Sequence, residues 1–164
     1  YHNAFLWQEL YFDVDYCNAD YNEGATTLGK LMTHLSENAS TTGYSNNPTI
    51  VFSGGKGFHL VDTEWKVDKL LNETEARNYH FETDLNGKQE FNRLVKTDII
   101  SDVRAAGILI DYDVTPDPRR IIRLPGTVHG KTLRLCKIIT MADLKTYICF
   151  NKLLTSYTPD SPIG

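Results

Sequence analysis

Several short clusters in this sequence combine residues suited to metal and phosphate chemistry. Glu9-Leu-Tyr-Phe-Asp-Val-Asp15 alternates apolar and polar residues and ends in two carboxylates. Side chains two apart on a strand point the same way, so Asp13 and Asp15 converge while Leu10, Phe12 and Val14 turn into a core. At an effective dielectric of about 20, like charges ~5 Å apart repel by on the order of 3 kcal/mol, and a divalent cation reverses that sign. Mg²⁺ is usually held by one or two carboxylates plus substrate phosphates, which makes Asp-x-Asp at a strand end a candidate metal seat. A second pair, Asp111 and Asp113, closes the apolar run Gly107-Ile-Leu-Ile-Asp-Tyr-Asp113. If the two strands are neighbours, these acids can surround one or two ions, the arrangement used for nucleotidyl transfer.

Ser53-Gly-Gly-Lys-Gly-Phe-His59 supplies what a phosphate needs: main-chain N–H groups at Gly54 and Gly57, the Ser53 hydroxyl, the Lys56 charge and a His59 donor. It is not a Walker A loop, because the G-x-x-x-x-G-K-[ST] spacing is missing and no helix follows. Arg119, Arg120, Arg123, Lys131, Arg134 and Lys137 fall in a stretch without Asp or Glu, with His129 and Lys131 on one side of an extended segment. Such a stripe can grip a triphosphate or a template backbone although the net charge is -4. Taken singly, each cluster also has a plain reading: a solvated strand end, a hairpin turn, an exposed basic strand.

The elements that position these clusters are legible from periodicity. Leu10 to Asp15 reads as a strand, and Leu28, Leu31, Met32 and Leu35 recur at helical spacing. The segment from Glu37 to Pro48 reads as a loop, and strands Thr49–Phe52 and Phe58–Val61 flank the glycine turn. Val67, Leu70 and Leu71 suggest a helix, Asp84 to Gly87 a loop, and Phe91, Leu94, Val95 and Ile99 a second helix ending near Ala106. Strands are expected at Gly107–Val114, Arg120–Leu124 and Thr132–Ile139. Thr140 with Asp143 forms a capping box that opens a last helix reaching about Leu154. Strands outnumber helices without regular alternation, which favours α+β: helices against a mostly antiparallel sheet.

The chain has 164 residues, the size of one domain, with 41% hydrophobic and 23% charged residues, as in ordinary globular proteins. No apolar run approaches the roughly 18 residues of a membrane span, so no membrane partner is expected. Cys17, Cys136 and Cys149 are odd in number and widely spaced, which argues against a disulfide framework and a cysteine zinc site and suits an intracellular setting. The start lacks an initiator Met and the end, Thr158-Pro-Asp-Ser-Pro-Ile-Gly164, has linker composition. Residues 1–155 are read as a catalytic core and 156–164 as a tail, the whole as a fragment of a longer protein.

Taken in order, the clusters resemble the archaeo-eukaryotic primase superfamily, especially the archaeal primase small catalytic subunit and the primase-polymerases. The blocks are Phe12-Asp13-Val14-Asp15, then Ser53 to His59 as S-G-x-x-G-x-H, then Ile110-Asp111-Tyr-Asp-Val-Thr115. The last is Arg120-Ile-Ile-Arg-Leu-Pro-Gly-Thr-Val-His-Gly-Lys-Thr132, similar to R-L-I-R-L-P-G-S-L-H-G-K-T.

The resemblance implies a compact α+β core with an RRM-like sheet. It implies template-directed joining of NTPs or dNTPs with release of pyrophosphate, using two Mg²⁺ or Mn²⁺ ions on Asp13, Asp15 and Asp111. Ser53, Gly54, Lys56, Gly57, His59, Arg123, His129 and Lys131 would hold the triphosphate, and Arg119, Arg120 and Arg134 the nucleic acid. Asp113 is a reserve ligand. No structural zinc is expected, because the family's zinc knuckle has no counterpart here. The expected partners are single-stranded template and primer, with a helicase domain, a large primase subunit or another replication protein beside them, in a prokaryotic or virus-infected cytoplasm. The alternatives are a non-catalytic nucleic-acid-binding subunit of a replication complex, or a gap-filling repair polymerase that cannot start chains.

Overall fold

The structure is a computed structural model that describes residues 3–5, 8–15, 21–55, 57–72, 78, 84–117, 119 and 121–144. Its centre is a four-stranded antiparallel sheet in the order β2-β4-β3-β6. The strands are β2 (Leu10–Asp15), β3 (Thr49–Phe52), β4 (Gly57–Asp62) and β6 (Lys137–Ile139). A smaller pair joins β1 (Asn3–Phe5) to β5 (Ile121–Arg123). The helices are α1 (Tyr21–Glu37), α2 (Ala39–Thr42), α3 (Leu85–Ala105) and α4 (Met141–Leu144). The mixed helix and strand architecture and the antiparallel sheet agree with the α+β expectation.

The strand alternation sorts side chains onto two faces. Leu10, Phe12 and Val14 of β2, Ile50 and Phe52 of β3 and Phe58 and Leu60 of β4 form one core with Leu28, Leu31 and Leu35 of α1 and Phe91, Ile99, Ile100 and Val103 of α3. Each such side chain contributes roughly 1.5–3 kcal/mol on burial, so this layer holds the sheet flat against its helices. On the opposite face Tyr11, Val61, Val114 and Ile122 form a smaller apolar cluster. Beyond it, towards the end of β2, that face turns polar, with Asp13 opposite His59 and Asp15 opposite Gly57.

Several elements differ from the sequence expectation. The helix expected to begin near Phe91 starts at Leu85, because the Asp84 side chain accepts from the Asn86 N–H and caps it. Asp84 to Gly87 is therefore a helix start and not a loop. The loop expected at 37–48 contains α2, which ends at Gly43 with φ 71°. Val67–Leu70 is a short 3₁₀ turn. The expected strand Thr132–Ile139 is regular only at Lys137–Ile139, because residues before it curl, with Leu133 at φ 57°.

The largest correction concerns Gly107–Val114, which is not a strand. Helix α3 closes with a Schellman arrangement: the Gly107 N–H donates to the Arg104 carbonyl and the Ile108 N–H to that of Val103. Beyond it, side chains compete for the main chain. The Tyr112 hydroxyl donates to the Ile108 carbonyl, and Asp111 Oδ1 accepts the Asp113 N–H at 3.2 Å. The segment nonetheless reaches β2. The Asp111 N–H donates to the Asp13 carbonyl at 3.0 Å, and the buried Thr115 hydroxyl donates to that of Tyr11 at 2.6 Å.

The Thr140–Asp143 capping box is present in both directions, at 2.9 and 3.1 Å. The rest of its expected helix, the 155/156 division, Cys17 and Cys149 lie outside the described residues. Among the described residues no helix is long and apolar enough to cross a membrane.

Candidate nucleotide and metal site

The polar end of the second sheet face gathers residues from three of the four clusters. β2 contributes Asp13 and Asp15, while β4 and the preceding turn contribute Ser53 to His59. β5 contributes Arg123, and the loop before β6 contributes His129 and Thr132.

His59 lies at the centre of this group. Its Nε2 stands 3.6 Å from Asp13 Oδ1 and its ring meets that of Tyr11 edge to face at 5.3 Å. Burial pushes its pKa down to about 4, with Asp15 opposing and Arg123 reinforcing the shift. At neutral pH His59 is therefore an uncharged hydrogen-bonding group. Its Nδ1 and the Nε of Arg123 are buried and have no hydrogen-bond partner among the described residues. Leaving such groups unmet costs about 1–3 kcal/mol each, and in a native structure each calls for a water or a ligand.

The Ser53–Gly57 turn is held from within and from outside. The Ser53 carboxyl-side geometry is closed by its own hydroxyl, which accepts the Gly55 and Gly57 N–H groups at 3.2 and 3.3 Å. Of the two N–H groups expected from the sequence to face a phosphate, those of Gly54 and Gly57, that of Gly57 is thus already engaged. Arg123 Nη1 donates to the Ser53 carbonyl at 3.4 Å. Gly54 has φ +79°, and a Cβ there would come within 2.8 Å of the Arg134 carbonyl.

His129 packs over the same turn, since a Cβ on Gly55 would lie 2.9 Å from its Nε2. Its Nδ1 accepts the Lys131 and Thr132 N–H groups, both at 3.3 Å. An imidazole nitrogen that accepts carries no proton, so in neutral His129 the proton sits on Nε2, facing the turn. Burial lowers the pKa of His129, and Arg123, Lys131 and Arg134 act in the same direction.

Asp13 is partly buried and Asp15 exposed. The Asp15 carboxylate lies over Gly57, where a Cβ would be 2.6 Å from Oδ1. Asp111 is joined to Asp13 through the main chain, as described above. Among the described residues, no group of three or more His, Cys, Asp or Glu side chains is gathered as a metal-holding set. Asp13, Asp15 and Asp111 fit divalent ions in donor chemistry, as hard carboxylate oxygens on one sheet face and its adjoining edge. Asp113 is exposed. The Arg119 side chain is 91% exposed, with its Nε 4.0 Å from Asp117 Oδ1. Arg134 and Lys131 flank the His129 loop. Lys56 and Arg120 lie outside the described residues. Thr115 and Thr132 were not singled out from the sequence, although both stand inside the quoted blocks.

The fold is that of a primase-polymerase domain. The polymerase domain from Mycobacterium tuberculosis Ligase D, solved in complex with DNA, superposes with a TM-score of 0.55 at 15% identity over 91% of this chain and 50% of that one. In sequence, the chain resembles archaeal DNA primase small subunits PriS. Identity is 29% over 119 residues with that of Pyrobaculum islandicum, covering 58% of this chain and 37% of the relative. It is 29% over 114 residues with that of Pyrobaculum aerophilum, covering 58% and 36%. With that of Sulfolobus acidocaldarius it is 28% over 106 residues, covering 56% and 30%. The chain thus matches about a third of the length of these curated relatives. No family model matches it.

Proposed function

We propose that this chain is the catalytic core of a template-directed nucleotidyltransferase, a primase or primase-polymerase, that joins NTPs or dNTPs to a growing strand with release of pyrophosphate. The observation that carries this reading is one sheet face on which two adjacent carboxylates, Asp13 and Asp15, border two buried nitrogens, His59 Nδ1 and Arg123 Nε, that have no partner among the described residues. Acids alone suit a cation and the unmet Arg123 Nε–H alone suits an anion; side by side they suit a metal-bound triphosphate. The likeness to primase small subunits supports it, and the solved polymerase domain's complex with DNA supports a nucleic-acid partner.

Asp13 and Asp15, with Asp111 on the adjoining segment, would hold Mg²⁺ or Mn²⁺, which when bound would lower the pKa of the primer hydroxyl and neutralise the phosphates. The chain's own residues do the rest. Arg123 and the Nε2–H of His129 donate to triphosphate oxygens, neutral His59 adds an uncharged polar group beside Asp13, and the Ser53 turn fixes their spacing. Lys56 and Lys131 add point charges, and Arg119, Arg120 and Arg134 take the nucleic-acid backbone. Positioning and fixed electrostatics supply most of the rate in such transfers, and no protein nucleophile is needed.

The test is incorporation of labelled nucleotide on primed and unprimed single-stranded templates with Mg²⁺ or Mn²⁺. Asp13→Asn with Asp15→Asn is expected to reduce incorporation to background while thermal melting stays intact. Undiminished synthesis by that variant sinks the reading, and synthesis on primed template alone assigns extension without initiation.

A further inference from the structure

We propose that Thr132 is a positioning residue, a strut that locks the His129 loop onto the Ser53–Gly57 turn and thereby aims His129 at the triphosphate. It rests on the phosphate-binding role given to His129 under Proposed function.

The Thr132 hydroxyl has one proton, and it donates this to the Gly54 carbonyl at 2.5 Å. The same oxygen accepts the Arg134 N–H at 3.4 Å. The Thr132 N–H is one of the two that meet His129 Nδ1 at 3.3 Å. One residue therefore ties together the turn, the loop and the imidazole. The loop closes around it: the His129 N–H donates to the Arg134 carbonyl and the Leu133 N–H to that of His129, both at 2.8 Å. Leu133 takes φ 57°, a backbone that bulky residues rarely adopt and that persists where surrounding contacts impose it.

The contact surfaces leave no slack. The Cβ space of Gly54 is taken by the Arg134 carbonyl and His129 Cβ, at 2.8 and 3.1 Å, and that of Gly55 by the His129 ring. If the loop lifts, His129 Nε2–H leaves the turn and its Nδ1 loses the aligned N–H pair. Thr132 itself is exposed and contributes nothing to the core, so its role lies in this placement.

Thr132→Val keeps the shape and removes both hydroxyl bonds; Thr132→Ser keeps the hydroxyl. In the nucleotide-free protein, long-range proton–nitrogen spectra of the His129 ring are expected to show one tautomer, protonated on Nε2, in the wild type and the Ser variant. A mixture is expected in the Val variant. By calorimetry, Thr132→Val is expected to weaken triphosphate binding about three- to tenfold, the loss of one or two hydrogen bonds, and to raise KM more than it lowers kcat. Thr132→Ser is expected to restore both, with melting unchanged throughout. An unchanged ring signature in the Val variant, an affinity within about twofold of wild type, or a loss that Ser does not restore overturns the proposal. A wild type that binds no triphosphate overturns the functional reading instead, and the ring signature alone then decides the strut.

Discussion

The main-chain N–H of Asp111 donates to the carbonyl oxygen of Asp13 at 3.0 Å, so the third acid is fastened to the strand of the first through backbone. The second fastening is the hydroxyl of Thr115, 2% exposed, on the Tyr11 carbonyl. With no regular strand at 107–114, these bonds set where Asp111 stands. Thr115→Val is expected to cost about 0.5–1.5 kcal/mol of stability in chemical denaturation. It should also lower nucleotide incorporation well beyond what that loss explains at assay temperature, and Thr115→Ser should restore both. Wild-type activity in a destabilised Thr115→Val protein contradicts this dependence.

His59 makes stability depend on acid pH. Its pKa is near 4 in the folded chain against an ordinary 6.5. Between those values the unfolded chain holds a proton that the native chain excludes, so stability is full above about pH 6.5 and falls as pH drops towards 4. Burial of one imidazole at this depth corresponds to up to about 3 kcal/mol. Urea midpoints measured across that range should fall in the wild type, and His59→Gln should flatten part of the slope. Equal slopes in the two proteins contradict the assignment.

What could be read from the sequence followed from periodicity and from side-chain chemistry carried on regular strands. The alternation Leu10 to Asp15 placed Phe12 and Val14 inside and Asp13 and Asp15 on the other face, and the glycine turn between β3 and β4 was visible from composition. Gly107–Val114 misled because an apolar run has the same appearance whether it pairs as a strand or enters the core one residue at a time. Its turn chemistry at Asp111 and Tyr112 decided the matter through side-chain bonds to backbone. Thr132 escaped notice because its partner, the Gly54 carbonyl, is distant in sequence. The β1–β5 pair, which brings Arg123 to the turn, rests on Asn3–Phe5, too short to show a period.

Lys96 on α3 is 3% exposed, with its ammonium 5.3 Å from the centre of the Trp65 ring. Burial pushes its pKa down to about 8, with Glu9 opposing. From pH 8 to its ordinary value near 10.5 the unfolded chain keeps a proton that the native chain releases, so this residue makes stability rise with pH, by up to about 3 kcal/mol. The Cys136 thiol, raised to about 11, and Tyr44, raised to about 12, act oppositely above pH 9 and 10. The difference between wild type and Lys96→Met isolates the lysine: the stability of wild type relative to Met should rise as pH goes from about 8 to 10. A constant difference contradicts a depressed Lys96.

Gly57 is opposite Asp15 across β2 and β4, and a Cβ there would lie 2.6 Å from Asp15 Oδ1 and 2.7 Å from the Val14 carbonyl. The carboxylate can swing aside but the strand carbonyl cannot, so Gly57→Ala must shift the edge of β2 that carries the acids. Overpacking of this kind costs typically 1–3 kcal/mol, which melting should register. The larger effect is expected on metal use, because the displaced group is the carboxylate. The Mn²⁺ concentration for half-maximal incorporation should rise about tenfold or more, with primer-template affinity unchanged, since a misplaced ligand costs at least one hydrogen-bond-scale interaction. Asp15→Asn in the same assay gives the limit for complete loss of that ligand's charge. A Gly57→Ala protein with normal Mn²⁺ dependence contradicts this coupling of Gly57 to the metal ligand.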